Sequence, residues 1–181
     1  MTTWKIDAAH SEVAFKVKHL VISTVTGHFG SFDATLRTSK EDFSDATVQF
    51  EAATDSINTK NEQRDGHLKS ADFFDAANNP KMTFVLTSVQ KISDGLLKVD
   101  GDLSIRGISH PVSLNVTYNG TVAGFGGTQV AGFEITTSIN RFDYNLKWNA
   151  MTEAGGVVVS DTVKIEILAE FNSIKEVAKA A

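Results

Sequence analysis

Apolar and polar residues alternate along most of the chain, the period expected of strands that bury one face and wet the other. Val13, Phe15 and Val17 alternate with Glu12, Lys16 and Lys18. Phe32, Ala34 and Leu36 form a second run, and Val48, Phe50 and Ala52 a third, set against Thr47, Gln49 and Glu51. Further runs carry Met82, Phe84 and Leu86, then Leu97, Val99, Leu103 and Ile105, then Val112, Leu114, Val116 and Tyr118. Phe133, Ile135 and Ile139, followed by Val163, Ile165 and Ile167, complete a set that predicts eight strands. Turn-forming residues fall between runs at Asp94-Gly95, Arg106-Gly107, Asn119-Gly120 and Gly124 to Gly127, so consecutive strands are expected to be hairpin neighbours. Pro80 and Pro111 are both expected just ahead of a strand.

Eight antiparallel strands with one apolar face close into a barrel, which removes exposed sheet edges. The polar face then points to water, the reverse of an outer-membrane barrel. At about eight strands the interior is either filled by side chains or holds one small ligand. The inward set predicts a wall made by Val13, Phe15, Val17, Phe32 and Phe50 on one side. Phe84, Leu103, Leu114, Phe133 and Ile165 continue it on the other. Strands near ten residues long span on the order of 30 Å before tilt, so an unfilled interior suits a chain better than a compact metabolite.

One stretch breaks the pattern. NEQRDGHLKSADFFDA, residues 61–76, is dense in ionisable groups and has helical spacing. Thr59-Lys60-Asn61-Glu62 has the form of a capping box, so a short helix is expected to start near Lys60, between the third and fourth strands. Ser70 to Phe73 caps a second short turn, and Phe73 and Phe74 supply apolar weight that fixes the helix across a barrel end as a plug or lid. Arg64, His67 and Arg141 are placed to meet the polar head of a ligand at the mouth, with Trp148 shielding the opening. A structural pairing of Arg64 with Asp65 or Asp72 is equally open.

Composition narrows the function. The 181 residues fit one domain, assigned to 1–172, with 173–181 as a tail that adds a helical turn or frays. A formal net charge of -5 without a basic cluster argues against nucleic acid and against a broad anionic-membrane footprint. No apolar run approaches the ~20 residues of a membrane span, so no stable membrane insertion is expected. The absence of cysteine excludes disulfides, thiolate metal sites and a Cys nucleophile. His10, His19, His28, His67 and His110 are scattered over separate elements, so no metal site is expected. Asp7, His10 and Ser11 have the residue types of a hydrolase but no elbow to aim the serine, and read as a turn. No basic and apolar leader opens the sequence, so a cytoplasmic location is expected as written, and a periplasmic one if a signal was removed.

WKIDAAHSEVAFKVKHL, GHFGSFDATL and above all SINTKNEQRDGHLKSADFFDAANNPKMTF resemble the YceI-like family of bacterial lipocalin-like proteins. VDGDLSIRGISHPVSL and SINRFDYNL extend the resemblance from Trp4 to about Phe171. It implies a lipocalin-like all-β barrel with a short helix near one end, frequently a homodimer, which holds an isoprenoid chain such as a polyprenyl pyrophosphate or a quinone. It implies no cofactor beyond that lipid, and no enzyme. Two rivals are carried beside it: a packed stress-response or binding module without lipid, and a hydrolase that uses His10, Asp7, His67 or Asp65.

Overall fold

The computed structural model describes residues 1–174 apart from Thr152, Ala154 and Gly155. The tail expected over 173–181 therefore lies outside the described residues beyond Ile174. The predicted runs form a closed antiparallel barrel of eight staves. Three staves are broken in the middle. β1 (Thr2–Ile6) and β2 (Glu12–His19) make the first, β3 (Ser23–Phe29) and β4 (Phe32–Thr38) the second. β5 (Thr47–Ala53) and the short β6 (Ile57–Asn58) make the third, parted by a 3-10 turn over Thr54–Ser56. The helix α1 (Glu62–Lys69) follows, and then β7 (Lys81–Ser93), β8 (Leu96–Ile105), β9 (Ile108–Ala123), β10 (Gln129–Asn140) and β11 (Val159–Ser173).

Neighbours in sequence are neighbours in the sheet, as the turn residues predict. Closure comes from β11, which pairs with β1 through Ile6 and Phe171 and with β2 through Val13 and Ile167. No helix among the described residues is long and apolar enough to cross a membrane. Trp4, Leu36, Phe84, Leu103, Phe133 and Phe171 are among the residues of the buried core.

Two halves of staves, β1 and β3, carry no clear alternation. The reason is legible at Gly27, whose missing side chain leaves a place taken by the Phe15 ring: a Cβ there would meet Phe15 Cζ at 2.2 Å. Asn119-Gly120, expected as a turn, lies inside β9. Gly132 pairs with Gly120 and Phe133 with Tyr118, so Asn119 is the extra residue of a β-bulge, and Gly120 relieves it at a φ of 112°. Pro111 is also inside β9, opposite Asp102 of β8. It is tolerated because β10 has already left β9 at that level, with Thr136 opposite Asn115 as the last paired residues.

Candidate functional site

The barrel encloses a cavity whose exposed wall is entirely apolar. The space open to the centre of a water-sized sphere is about 150 Å³, against roughly 10–15 Å³ needed for a single water. The cavity runs from Phe43 and Ala46 at one end, here the floor, to Ile105, Val112 and Thr137 near the other, the roof. Val13, Phe50, Phe84 and Leu103 line it, as do Leu114, Phe133 and Ile165. Phe15 and Phe32 are half-buried and pack against the core beside it, while Val17 is half-buried nearer the β2–β3 turn. Met82, Phe84, Leu97 and Leu103 on β7 and β8 are buried. Val48 and Phe50 on β5, Leu86 on β7, and Leu114, Ile135, Ile165 and Ile167 on β9 to β11 also line the cavity but are only half-buried. Gly101 is required on β8, because a Cβ there would meet the Phe84 ring at 2.3 Å.

The floor is made by a residue that alternation does not reveal. Phe43, in the loop between β4 and β5, is 2% exposed, with φ of 58°, and its ring lies 5.0 Å from those of Tyr118 and Phe133 and 5.4 Å from Trp4. Asp45 shapes the loop: its carboxylate accepts from the Thr38 hydroxyl at 2.5 Å and from the backbone N–H of Ser39 and Lys40. The Thr38 hydroxyl bond, with those N–H groups, holds the Asp45 carboxyl below its usual range. The indole Nε1 of Trp4 is buried without a hydrogen-bond partner among the described residues.

The roof is polar in construction. The cap of α1 is Asn61, whose side chain accepts from Arg64 N–H at 2.9 Å, and not Thr59 as the capping-box spacing predicts. Lys60, at a φ of 60°, cannot begin a helix, so the cap moves two residues on, from Thr59 to Asn61. Thr59 serves instead as an anchor. Its hydroxyl donates to Asp65 Oδ1 at 2.5 Å and accepts from Arg64 Nε at 2.7 Å, and its carbonyl accepts from Arg64 Nη2 at 2.8 Å. Arg64 thus ties α1 to the chain before it, and its bonds go to Thr59 in place of Asp65 or Asp72.

His67 meets Asp72 at 2.9 Å, and its ring stands edge-on to Trp148 at 4.7 Å and Phe73 at 5.1 Å. Phe73 is buried, and Phe74 lies edge-on to Phe29 at 5.8 Å, so both phenylalanines anchor the segment as expected. Trp148 thereby joins α1 to the long connection before β11.

Arg141 is 3% exposed, and its role is corrected by its partners. Its guanidinium donates to four backbone carbonyls: Ser160 at 2.8 Å, Trp148 at 2.8 Å, Val159 at 3.2 Å and Leu146. Burial pulls its pKa below the usual arginine value, with Asp161 opposing. The Arg141 donors predicted to meet a ligand head are turned to the protein's own backbone, to Leu146 and Trp148 on the connection after β10 and to Val159 and Ser160 at the start of β11.

Near the roof the wall has a seam. Beyond Thr136 and Asn115 the strands β9 and β10 part, and Thr137 Oγ1 donates to Ser113 O at 2.8 Å just past the last pair. A 3-10 turn over Arg141–Tyr144 fills the gap. His110 of β9 holds it: Nε2 lies 3.0 Å from Asp143 O, and since a carbonyl only accepts, Nε2 carries the proton. The Tyr144 ring stands edge-on to His110 at 5.3 Å. Its hydroxyl is buried without a partner among the described residues, and burial pushes its pKa up to about 12, aided by Asp143.

One cluster sits outside the lumen, where the first stave breaks. His10 Nδ1 lies 3.0 Å from Asp7 Oδ2 and 3.8 Å from Glu170 Oε1. Ser11 is occupied by the backbone of Glu170, accepting from its N–H at 2.9 Å. The hydrogen bond between Asp7 and His10 lowers the pKa of the former and raises that of the latter.

A closed antiparallel barrel around an apolar lumen, with an aromatic floor and a hydrogen-bonded roof, defines a protein built to enclose. The chain belongs to the family of the YceI-like domain, whose model matches residues 4–171. A UPF0312 protein of Staphylococcus aureus (strain MSSA476) is 42% identical over 173 residues, covering 95% of this chain and 98% of that one. The YCEI protein of Campylobacter jejuni superposes with a TM-score of 0.75 at 30% identity, over 87% of this chain and 90% of that one. A domain of Saccharophagus degradans, described as polyisoprenoid-binding, superposes with a TM-score of 0.68 at 18% identity, over 94% of this chain and 98% of its own.

Proposed function

We propose that this chain is a non-enzymatic carrier or sequestering protein for one long isoprenoid-type chain, held in the lumen and admitted at the β9–β10 seam. The observation that carries the reading is the unfilled apolar wall from Phe43 to Thr137. Each CH₂ taken from water contributes about 0.8 kcal/mol, so a few isoprene units reach the ~8 kcal/mol of micromolar binding even after ordering losses. The polyisoprenoid description of the Saccharophagus degradans domain supports the ligand class. Among the described residues of the wall Thr137 alone bears a hydroxyl, which donates to Ser113 O beside the seam and leaves the exposed wall apolar, as an isoprenoid tail requires. A hydrolase finds little support: Ser11 is bonded to backbone, and His67 is bonded to Asp72 and held edge-on against Trp148 and Phe73.

The test is native extraction followed by mass spectrometry of the organic phase, together with uptake of a prenyl lipid from detergent solution. A near-stoichiometric prenyl lipid is expected. Leu114→Trp with Ile135→Trp, which fills the lumen, is expected to lower uptake about tenfold or more. An empty protein that also refuses prenyl lipids sinks the reading and favours a lipid-free module.

A further inference from the structure

The turn between β2 and β3 is made by three consecutive aliphatic residues, Leu20, Val21 and Ile22. Val21 is 76% and Ile22 86% exposed. Leu20 and Val21 have φ of 51° and 65°, a region that bulky and β-branched residues seldom enter. A tight hairpin with that backbone is ordinarily made by Asn-Gly. Neither turn chemistry nor core packing accounts for these side chains.

The tip belongs to a larger surface. Leu20 N–H donates to Val158 O at 2.9 Å, which ties the turn to the segment before β11. Val21, Phe142 and Val157 line one shallow groove there, and Met151, bridged to Val157, is 68% exposed beside it. Lys18 of β2 and Asp161 of β11 both line the groove, and the connection between β10 and β11 carries the exposed Asp143 and Lys147. Phe142 belongs to the 3-10 turn that fills the seam, so the apolar surface is continuous with the closure of the lumen.

We propose that this face docks on a lipid bilayer, with Val21 and Ile22 entering the acyl boundary and Lys18 beside them at the level of the lipid phosphates. The seam then faces the membrane. The occupant follows from shape and size: a convex aliphatic tip with a handful of apolar neighbours falls far below the 20–30 residues a side of a stable protein interface. Shallow apolar insertion suffices for reversible attachment to a membrane surface. The proposal rests on the reading of the lumen as a lipid site, because loading is what the attachment serves.

The experiment is vesicle flotation with phosphatidylcholine alone and with added phosphatidylglycerol. The wild type is expected to float with both to a similar extent, because Asp143 and Asp161 offset Lys147 and Lys18 and leave the apolar tip as the source of binding. Val21→Asn with Ile22→Asn is expected to leave about tenfold less protein bound. Leu20→Asn with Val21→Gly supplies the residues the turn backbone favours, so it is expected to raise Tm and still lose flotation. Both variants should take up prenyl lipid from detergent solution as the wild type does. Failure of the wild type to bind either vesicle overturns the proposal, as does a dimer in light scattering that the tip variants abolish without vesicle binding. Vesicle binding that depends on the tip, in a protein that takes up no prenyl lipid, supports the docking surface while removing the lumen reading.

Discussion

The two ends of the barrel are closed by opposite chemistry. At the floor a single aromatic side chain, Phe43, fills the space among Trp4, Tyr118 and Phe133, and its loop is organised by one carboxylate, Asp45. At the roof the closure is a set of directional bonds: Arg141 to four carbonyls, Arg64 to Thr59, Arg106 Nη1 to Phe73 O at 2.9 Å, and His110 to Asp143. Apolar packing keeps its free energy as long as area stays buried and is indifferent to small rearrangements. Hydrogen bonds to backbone hold one arrangement and are lost together when it shifts. The floor is therefore closed by packing, and the roof by bonds that a single rearrangement would release together.

The contrast is broken most severely at Arg141. Arg141→Ala strands four carbonyls, one buried and three part-buried, and is expected to lower stability by about 3 kcal/mol or more in denaturant titration, with early protease cleavage between β10 and β11. Arg141→Lys recovers little, since an ammonium lacks the planar fork that spans those carbonyls. At the floor, Phe43→Ala is expected to lower stability by about 3 kcal/mol, near the bottom of the range for buried phenylalanine because the vacated space merges with an existing cavity. The same variant lengthens the lumen and should shift uptake toward longer prenyl chains. Tyr144→Phe removes a buried hydroxyl without a partner, so it is expected to leave stability unchanged or raise it by about 1 kcal/mol; a clear loss of Tm shows that the hydroxyl is bonded.

The smallest effect belongs to the exposed pair at the stave break. The pKa of His10 is raised above its ordinary 6.5, chiefly by the hydrogen bond to Asp7, so its contribution is complete below 6.5 and fades as pH rises through the higher folded value. The pKa of Asp7 is lowered from 3.8, so its contribution is complete above 3.8 and fades as pH falls through the lower folded value. The Tm difference between wild type and His10→Ala should thus be greatest between pH 3.8 and 6.5, and shrink on both sides.

The staves were legible in the sequence because each one-sided strand writes its own period of two. What escaped was whatever depends on a partner strand. Asn119-Gly120 has the composition of a turn, and only the count of residues opposite it on β10 makes it a bulge. Pro111 looks like a strand boundary until β10 is seen to have left the pairing. Thr59 has the spacing of a cap, yet the left-handed φ of Lys60 hands that role to Asn61. In the lumen, alternation named Val13, Phe50, Phe84 and Leu114 as inward, whereas Phe43, in a loop, has no periodicity to announce it. The arginines were marked as ligand-facing by their position near the mouth, but Arg64 is occupied by Thr59 and Arg141 by carbonyls of the β10–β11 connection and the start of β11, partners that only the folded chain brings to them.

Pro111 has a further consequence. Where β9 and β10 separate, each presents backbone that has lost its natural mate and could accept a strand from another molecule. A proline there withholds a donor from any such intruder, and the Arg141–Tyr144 turn covers the opening beside it. A wall left unzipped at this level is thus guarded against amyloid-like growth, and replacing Pro111 trades solubility on storage for one more hydrogen-bond donor at an unguarded edge.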